Sequence, residues 1–336
     1  MTLSRVLRAS ALLFLVFAAI SLASLGVGAI AIAPQDVLSA LLGALAGQEL
    51  SASEDLILFS VRLPRILFAG VVGASLSVSG VVFQALLRNP LADPFVLGIS
   101  GGSALGAIVA IVIGASAFYL GLPFLAFAGA LATVFLVFIV AGGPRGVLLD
   151  NSLLLAGVVV NSFFSAAILF ALSVVDSLEL HSISFWLMGD LSRASLAEIG
   201  GSALCLGVCF VLLYAQARKL NLIVQGEETA LQLGVNVRAT KYILLAVTSL
   251  VTAVAVSFAG IIGFIGIMVP HMMRLVYGSD HRLLLPAAAL FGASFLVAAD
   301  TVARTALAPS ELPVGVITAL CGAPYFIFLM RRKERR

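Results

Sequence analysis

The chain has 336 residues; 62% are apolar, 10% are charged, the mean hydropathy is +1.18 and the formal net charge is +3. A soluble globular domain carries roughly 45–50% apolar and roughly 25% charged residues. This composition excludes a soluble fold and makes lipid the main solvent; with a net charge this small, the informative quantity is where each cation sits.

Arg5 and Arg8 precede an uncharged run from Ala9 to Ala33. A secretory signal has an apolar core of ~7–15 residues. This run is much longer and Pro34 would follow the cut, so it reads as an uncleaved first transmembrane helix. A crossing needs ~20 apolar residues. Runs with few or no charges follow at 66–87, 95–122, 123–143, 151–175, 194–214, 242–273, 283–299 and 312–330. The stretch 95–143 is divided by the turn signal Gly121-Leu122-Pro123. The run 242–273 would span about 48 Å as one helix, too long for one hydrocarbon core and short for two. Gly260, Gly263, Gly266 and Pro270 offer places to turn. Cys205, Cys209 and Cys321 all fall inside apolar runs and read as buried thiols, not as a disulfide framework.

The cations decide how often 242–273 crosses. A single crossing would put Arg331-Arg332-Lys333-Glu334-Arg335-Arg336 outside, against the tendency of Lys and Arg to stay cytoplasmic. Two crossings, roughly 242–259 and 261–277, give ten transmembrane helices with both termini cytoplasmic. The inner side then holds Arg5, Arg8, Arg88, Arg145, Arg218, Lys219, Arg238, Lys241, Arg274, Arg282 and the basic tail, and the outer side holds Arg62, Arg65, Arg193 and Arg304. Small residues stripe the second and third spans (Ala69, Gly70, Gly73, Ala74, Ser77; Gly98, Gly101, Gly102, Gly106), the means by which helices approach closely in lipid. The fold expected is all-α: one polytopic transmembrane domain over residues 1–336.

None of the three lysines follows a glycine, so the chain lacks the G-x-x-x-x-G-K-[ST] loop that cradles ATP phosphates. His181, His271 and His281 are scattered and form no metal or nucleophile motif. An ion-coupled transporter would place an ionisable residue deep in a span. The acids here, including Asp93, Asp150, Asp176, Asp190, Asp300 and Glu311, sit near predicted span ends. The energy source is therefore expected outside the chain, and the loop 216–241 is the natural place for a motor to attach. Within it Glu227 and Glu228 favour a helix start and Gly234 a stop, leaving a short helix Glu227–Leu233 with Ala230, Leu231 and Leu233 on an apolar side. Such an element suits a groove on a partner.

Five clusters resemble the FecCD-type permeases of bacterial ABC importers. They are Arg62-Leu63-Pro64-Arg65; Ser79-Gly80 and Gln84 with Arg88-Asn89-Pro90-Leu91-Ala92-Asp93-Pro94 and Leu97-Gly98; Trp186-Leu187-Met188-Gly189; Gly263-Phe264-Ile265-Gly266 with Pro270-His271 and Arg274; and Asp300, Arg304, Glu311-Leu312-Pro313-Val314-Gly315 and Gly322-Ala323-Pro324. The resemblance implies a permease in the bacterial inner membrane, importing a metal chelate by alternating access: a ferric siderophore or haem, with cobalamin as the alternative. It implies as partners a second copy of the chain, two cytoplasmic ATPase subunits that bind ATP and Mg, and a periplasmic binding protein, with no nucleic acid. It implies no cofactor or metal held by this chain and no catalytic residue. It assigns docking of the binding protein to Arg62 and Arg304, which suit bidentate carboxylate recognition. Coupling to the ATPase falls to Gly226, Glu227, Glu228, Ala230, Leu231, Leu233 and Gly234. The cytoplasmic gate falls to Asn89, Pro90, Leu91, Asp150 and Asn151, and the translocation path to the helix carrying Val160, Asn161 and Phe164. Arg65 and His271 read as packing residues.

Overall fold

The computed structural model describes residues 2–47, 53–118, 120–142, 150–192 and 195–334, and among these there is no β-strand. The helices in chain order are α1 (Leu3–Gly26), α2 (Pro34–Leu45), α3 (Ser53–Leu56), α4 (Leu63–Leu86), α5 (Ile99–Val112), α6 (Gly121–Gly142), α7 (Asp150–Val174), α8 (Ser177–Leu187), α9 (Leu196–Ala215), α10 (Ala217–Gln225), α11 (Glu227–Gln232), α12 (Val237–Ala259), α13 (Ile265–Tyr277), α14 (His281–Ala303) and α15 (Val314–Glu334). A π-helical stretch, Ile57–Arg62, runs α3 into α4, and a 3-10 turn, Pro94–Leu97, leads into α5.

Among the described residues seven helices are long and apolar enough to cross a membrane, and three shorter apolar ones, Ile99–Val112, Ile265–Tyr277 and Val314–Leu329, accompany them. The long run 242–273 is divided. α12 stops at Ala259, Gly260 takes φ +70, and Phe264 takes φ +69 before α13 begins. Gly260 is required for space as well as for its backbone: an added Cβ would lie 2.2 Å from the Trp186 carbonyl oxygen.

The division of 95–143 differs from the expected turn at Gly121-Leu122-Pro123. The chain leaves α5 at Val112, turns through left-handed Gly114, and is helical again from Gly121. Pro123 lies in the first turn of α6, where a missing N–H costs nothing. Four short helices were not anticipated: α2, α3, α8 and α10. α10 is amphipathic and buries Ala217, Leu220 and Ile223. Pro270 sits inside α13 and does not end it; the break precedes it, at 260–264.

α4 forms the centre of the bundle, with 89% of its most apolar stretch buried, against 17% for α1, 28% for α7 and 22% for α9. Its glycines allow this. A Cβ on Gly73 would lie 2.3 Å from the Gly292 carbonyl oxygen of α14, and one on Gly80 would lie 1.8 Å from the Gly266 carbonyl oxygen of α13. With no hydrophobic drive between helices in lipid, such close approach supplies the packing contacts. The peripheral helices turn large apolar side chains outward, including Phe135, Phe163, Phe170 and Phe328.

Candidate functional site

Charged side chains gather at the two ends of α4, about 36 Å apart at 1.5 Å per residue. At its N-terminal end, the Arg65 guanidinium donates to both oxygens of Asp300 at 3.0 Å and to Glu311 Oε2 at 2.6 Å. Arg304, one turn beyond Asp300 on α14, lies 3.7 Å from the same carboxylate and donates to the Ser24 carbonyl and hydroxyl at the end of α1. Arg62 donates to the carbonyls of Leu25 and Ile30, clasping the chain that follows α1. Arg62 and Arg304 are 4% and 7% exposed. The two arginines expected to meet a binding protein thus point into the subunit, bonded to the end of α1. Gly28 makes room for this: a Cβ there would fall 2.5 Å from the Arg62 guanidinium.

At the C-terminal end the chain leaves α4 by a tightly built loop. Arg88 takes φ +46, rare for a side chain with a Cβ. The Asn89 N–H donates to the Gln84 carbonyl, and its side-chain oxygen accepts from the Leu91 N–H at 3.0 Å, an Asx turn. Asp93 caps the 3-10 turn by accepting from the Phe95 N–H at 2.9 Å, and Gly98 at φ +74 starts α5. Burial pushes the Asp93 carboxyl up to about 6, the Phe95 hydrogen bond pulling the other way. Of the expected gate residues, Asn89, Pro90 and Leu91 form this loop, with Leu91 exposed. Asp150 and Asn151 open α7, and their side chains lie outside the described residues.

Beneath the loop Gln84 is buried and fully used. It donates to the Gly266 and Ile267 carbonyls and accepts from Arg274 at 2.9 Å. Beside it, α11 covers nearly the span expected for the coupling helix, with Leu233 as C-cap and Gly234 at φ +79. Its apolar residues do not share one side. Ala230 is fully buried against Ile223, Val235 and Val237, while Leu231 and Leu233 are 58% and 62% exposed. Leu231 lies about 100° round the helix from Ala230, and Leu233, only about 60° away by spacing, is the C-cap where the helix ends. Glu227 joins Arg88 and Lys241, and Asn221 joins Asp280, whose carboxyl the Arg282 and Asn221 hydrogen bonds hold well below the usual range. Lys241 and Asn221 belong to no sequence motif singled out above; only the fold brings them here.

The third expected group lies on α7. Val160 is buried and Asn161 and Phe164 half-buried on the face of α7 that meets the start of α5, where Cβ atoms on Gly98 and Gly101 would touch them. The opposite face, with Leu155, Val159, Phe163 and Phe170, is open. His271 packs against Tyr325 and Phe326 with ring centroids 6.2 and 6.4 Å away. Among the described residues no group of three or more His, Cys, Asp or Glu could hold a metal ion.

The clusters singled out in the sequence converge. The Trp186–Gly189 segment meets the break between α12 and α13 through Gly260, and the Gly315 N–H donates to the Met188 carbonyl at 3.1 Å. The chain is 48% identical over 277 residues to the cobalamin import system permease protein BtuC of Halobacterium salinarum, covering 82% of this chain and 74% of the relative. It is 45% identical over 288 residues to the hemin transport system permease protein HmuU of Yersinia pestis, covering 82% and 84%. A solved ABC transporter, described as metal-chelate type and caught inward-facing, superposes with a TM-score of 0.84 at 31% identity, covering 97% of this chain and 99% of that one. Residues 13–332 match the model of the FecCD transport family, and the chain, a multi-pass membrane permease, belongs to that family.

Proposed function

We propose that this chain is the membrane-spanning subunit of an ABC importer for a metal chelate, crossing the cytoplasmic membrane ten times with both termini and the 216–241 loop inside. It works as a pair of copies with two ATPase subunits, which bind ATP and Mg, and an external binding protein that delivers the chelate. The observation that carries this reading is α11. It is a six-residue helix anchored by Ala230 that offers Leu231 and Leu233 to solvent, beside the loop Arg88–Asp93. Exposed leucines on a short, well-defined helix suit a groove on a partner, and the chain has no phosphate-binding loop of its own. The Asn89–Leu91 turn and the start of α7 at Asp150 and Asn151 form the inner gate in this reading. The path runs beside α7, and Arg62 and Arg304 take up carboxylates of the binding protein by exchanging their present carbonyl partners.

The test is purification. With Leu231→Asp and Leu233→Asp together, the permease is expected to remain folded and monodisperse and to lose its co-purifying ATPase. Undiminished co-purification would remove the coupling assignment. The substrate class is a haem or a cobalamin, the cargoes named for the two relatives above. Calorimetry of the cognate binding protein against haem, cobalamin and a ferric siderophore separates them, and binding of none sinks the chelate reading.

A further inference from the structure

Two adjacent acids open α11, and the fold treats them differently. Glu228 is exposed, whereas Glu227 is drawn back against the bundle. One oxygen of Glu227, Oε1, accepts from Lys241 Nζ at 2.8 Å and from Arg88 Nη2 at 3.2 Å. The two cations come from separate elements. Lys241 lies in the second turn of α12, and Arg88 is the residue after Leu87, the C-cap of α4. A single carboxylate therefore joins the start of α11, the first turns of α12 and the point where the Arg88–Asp93 loop departs.

The surroundings make this junction consequential. α11 has only six residues and buries Ala230 alone, so it has little hold of its own. Arg88 is held at φ +46, and the next residue, Asn89, builds the turn of the loop. A pull on the Arg88 side chain thus acts on the loop at its root. The Arg88–Glu227 arm is 41% and 39% exposed, the Lys241 side chain 10%. Such an arrangement has one durable contact and one that can part, since exposed pairs are weak and screened while buried ones are not.

We infer that Glu227 is a positioning residue of the transport cycle: its carboxylate latches α11 to the root of the Arg88–Asp93 loop, so that displacement of α11 by the ATPase is passed to the gate. The inference rests on the coupling and gate assignments above and adds the link between them. Without that link α11 moves and the loop does not follow.

The experiment uses the complete transporter in proteoliposomes and reads substrate moved per ATP hydrolysed. Arg88→Gln and Glu227→Gln are each expected to lower this ratio about tenfold, and the double variant to lower it no further than Glu227→Gln alone, because each removes the Arg88–Glu227 contact and only Glu227→Gln also removes that of Lys241. Arg88→Lys, which keeps the charge, is expected to recover at least about half of the wild-type ratio, a rescue that charge-assisted bonding predicts. An unchanged ratio in either single variant overturns the latch, as do losses that multiply in the double variant. Loss of ATPase co-purification with Arg88→Gln overturns it differently, by making Arg88 a docking contact. If Glu227→Gln is not recovered folded, the exposed Arg88→Gln and Arg88→Lys pair carries the test. Should the leucine variants of α11 leave the ATPase bound, the coupling assignment fails while the ratio measurements still judge the latch.

Discussion

Asp300 at one end of α4 and Glu227 at the other each serve two cations, yet their settings are opposite. Asp300 is 1% exposed and receives Arg65 through both oxygens, with Arg304 at 3.7 Å; around it Arg62 and Arg304 bind the last carbonyls of α1. Glu227 is 39% exposed and draws its partners from two elements that it does not otherwise fix in place. Buried ion pairs cannot part without stranding a charge in low dielectric, whereas exposed ones part at little cost. The N-terminal end is thus built to hold α1, α4 and α14 as one body, and the C-terminal end, where the exposed Arg88 arm can part, suits the motion proposed for it.

This contrast is easiest to break at Asp300. Asp300→Leu leaves Arg65 and Arg304 buried without their shared carboxylate, and the expected loss is ~3–5 kcal/mol. It should appear as a large fall in the thermal midpoint of the detergent-solubilised protein, or as failure to recover monodisperse material. A loss below about 1 kcal/mol would mean that the cluster is no more rigid than a surface pair. The middle of α4 gives the next largest effect. Gly80→Ala puts a Cβ 1.8 Å from the Gly266 carbonyl oxygen, a backbone atom that cannot swing aside, and overpacking of this kind costs ~1–3 kcal/mol or more. Gly201→Ala on α9, with nothing within 4 Å, is the control. It is expected to be neutral or stabilising by up to ~1 kcal/mol through helix propensity. At the C-terminal end, Arg88→Gln, which removes only the exposed arm and leaves Lys241 paired with Glu227, should lower the thermal midpoint by the equivalent of only ~0.2–1 kcal/mol. A large fall there would erase the distinction between the two ends.

The helices were legible because lipid demands long apolar runs, and the break at Gly260 and the stop at Gly234 because only glycine suits those backbones. Helix faces were not legible. In lipid the outward face is as apolar as the inward one, so the pattern around Val160, Asn161 and Phe164 does not reveal that they meet α5 while Phe163 is open. The present partners of the arginines were illegible for another reason. Arginine's long side chain can turn from the helix end to a carbonyl several residues away, as Arg62 does to Leu25 and Ile30, and spacing cannot tell a docking arginine from a clasping one. The short helices α2, α3, α8 and α10 lie beside spans or loops whose polar content hid them, and α11 was visible only through its caps.

The smallest effect belongs to Asp93, in the loop that the latch is proposed to move. Its carboxyl is raised to about 6 by burial, while the Phe95 N–H favours the charged form. The folded protein therefore holds this proton more tightly than the unfolded chain does. The stabilisation is complete below the unfolded value near 4 and fades as pH rises through about 6. Asp93→Asn keeps an oxygen that can accept from the Phe95 N–H, since asparagine caps as well as aspartate, and removes the charge that burial opposes. The variant should match the wild type at pH 4.5 and exceed it slightly at pH 7.5. The net gain is expected below about 1 kcal/mol, because the residue is only partly withdrawn from solvent. Thermal midpoints of both proteins across that pH range measure it. An unchanged pH dependence in the variant would show that Asp93 keeps its charge in contact with water, and that the loop is looser than its Asx turn and cap imply.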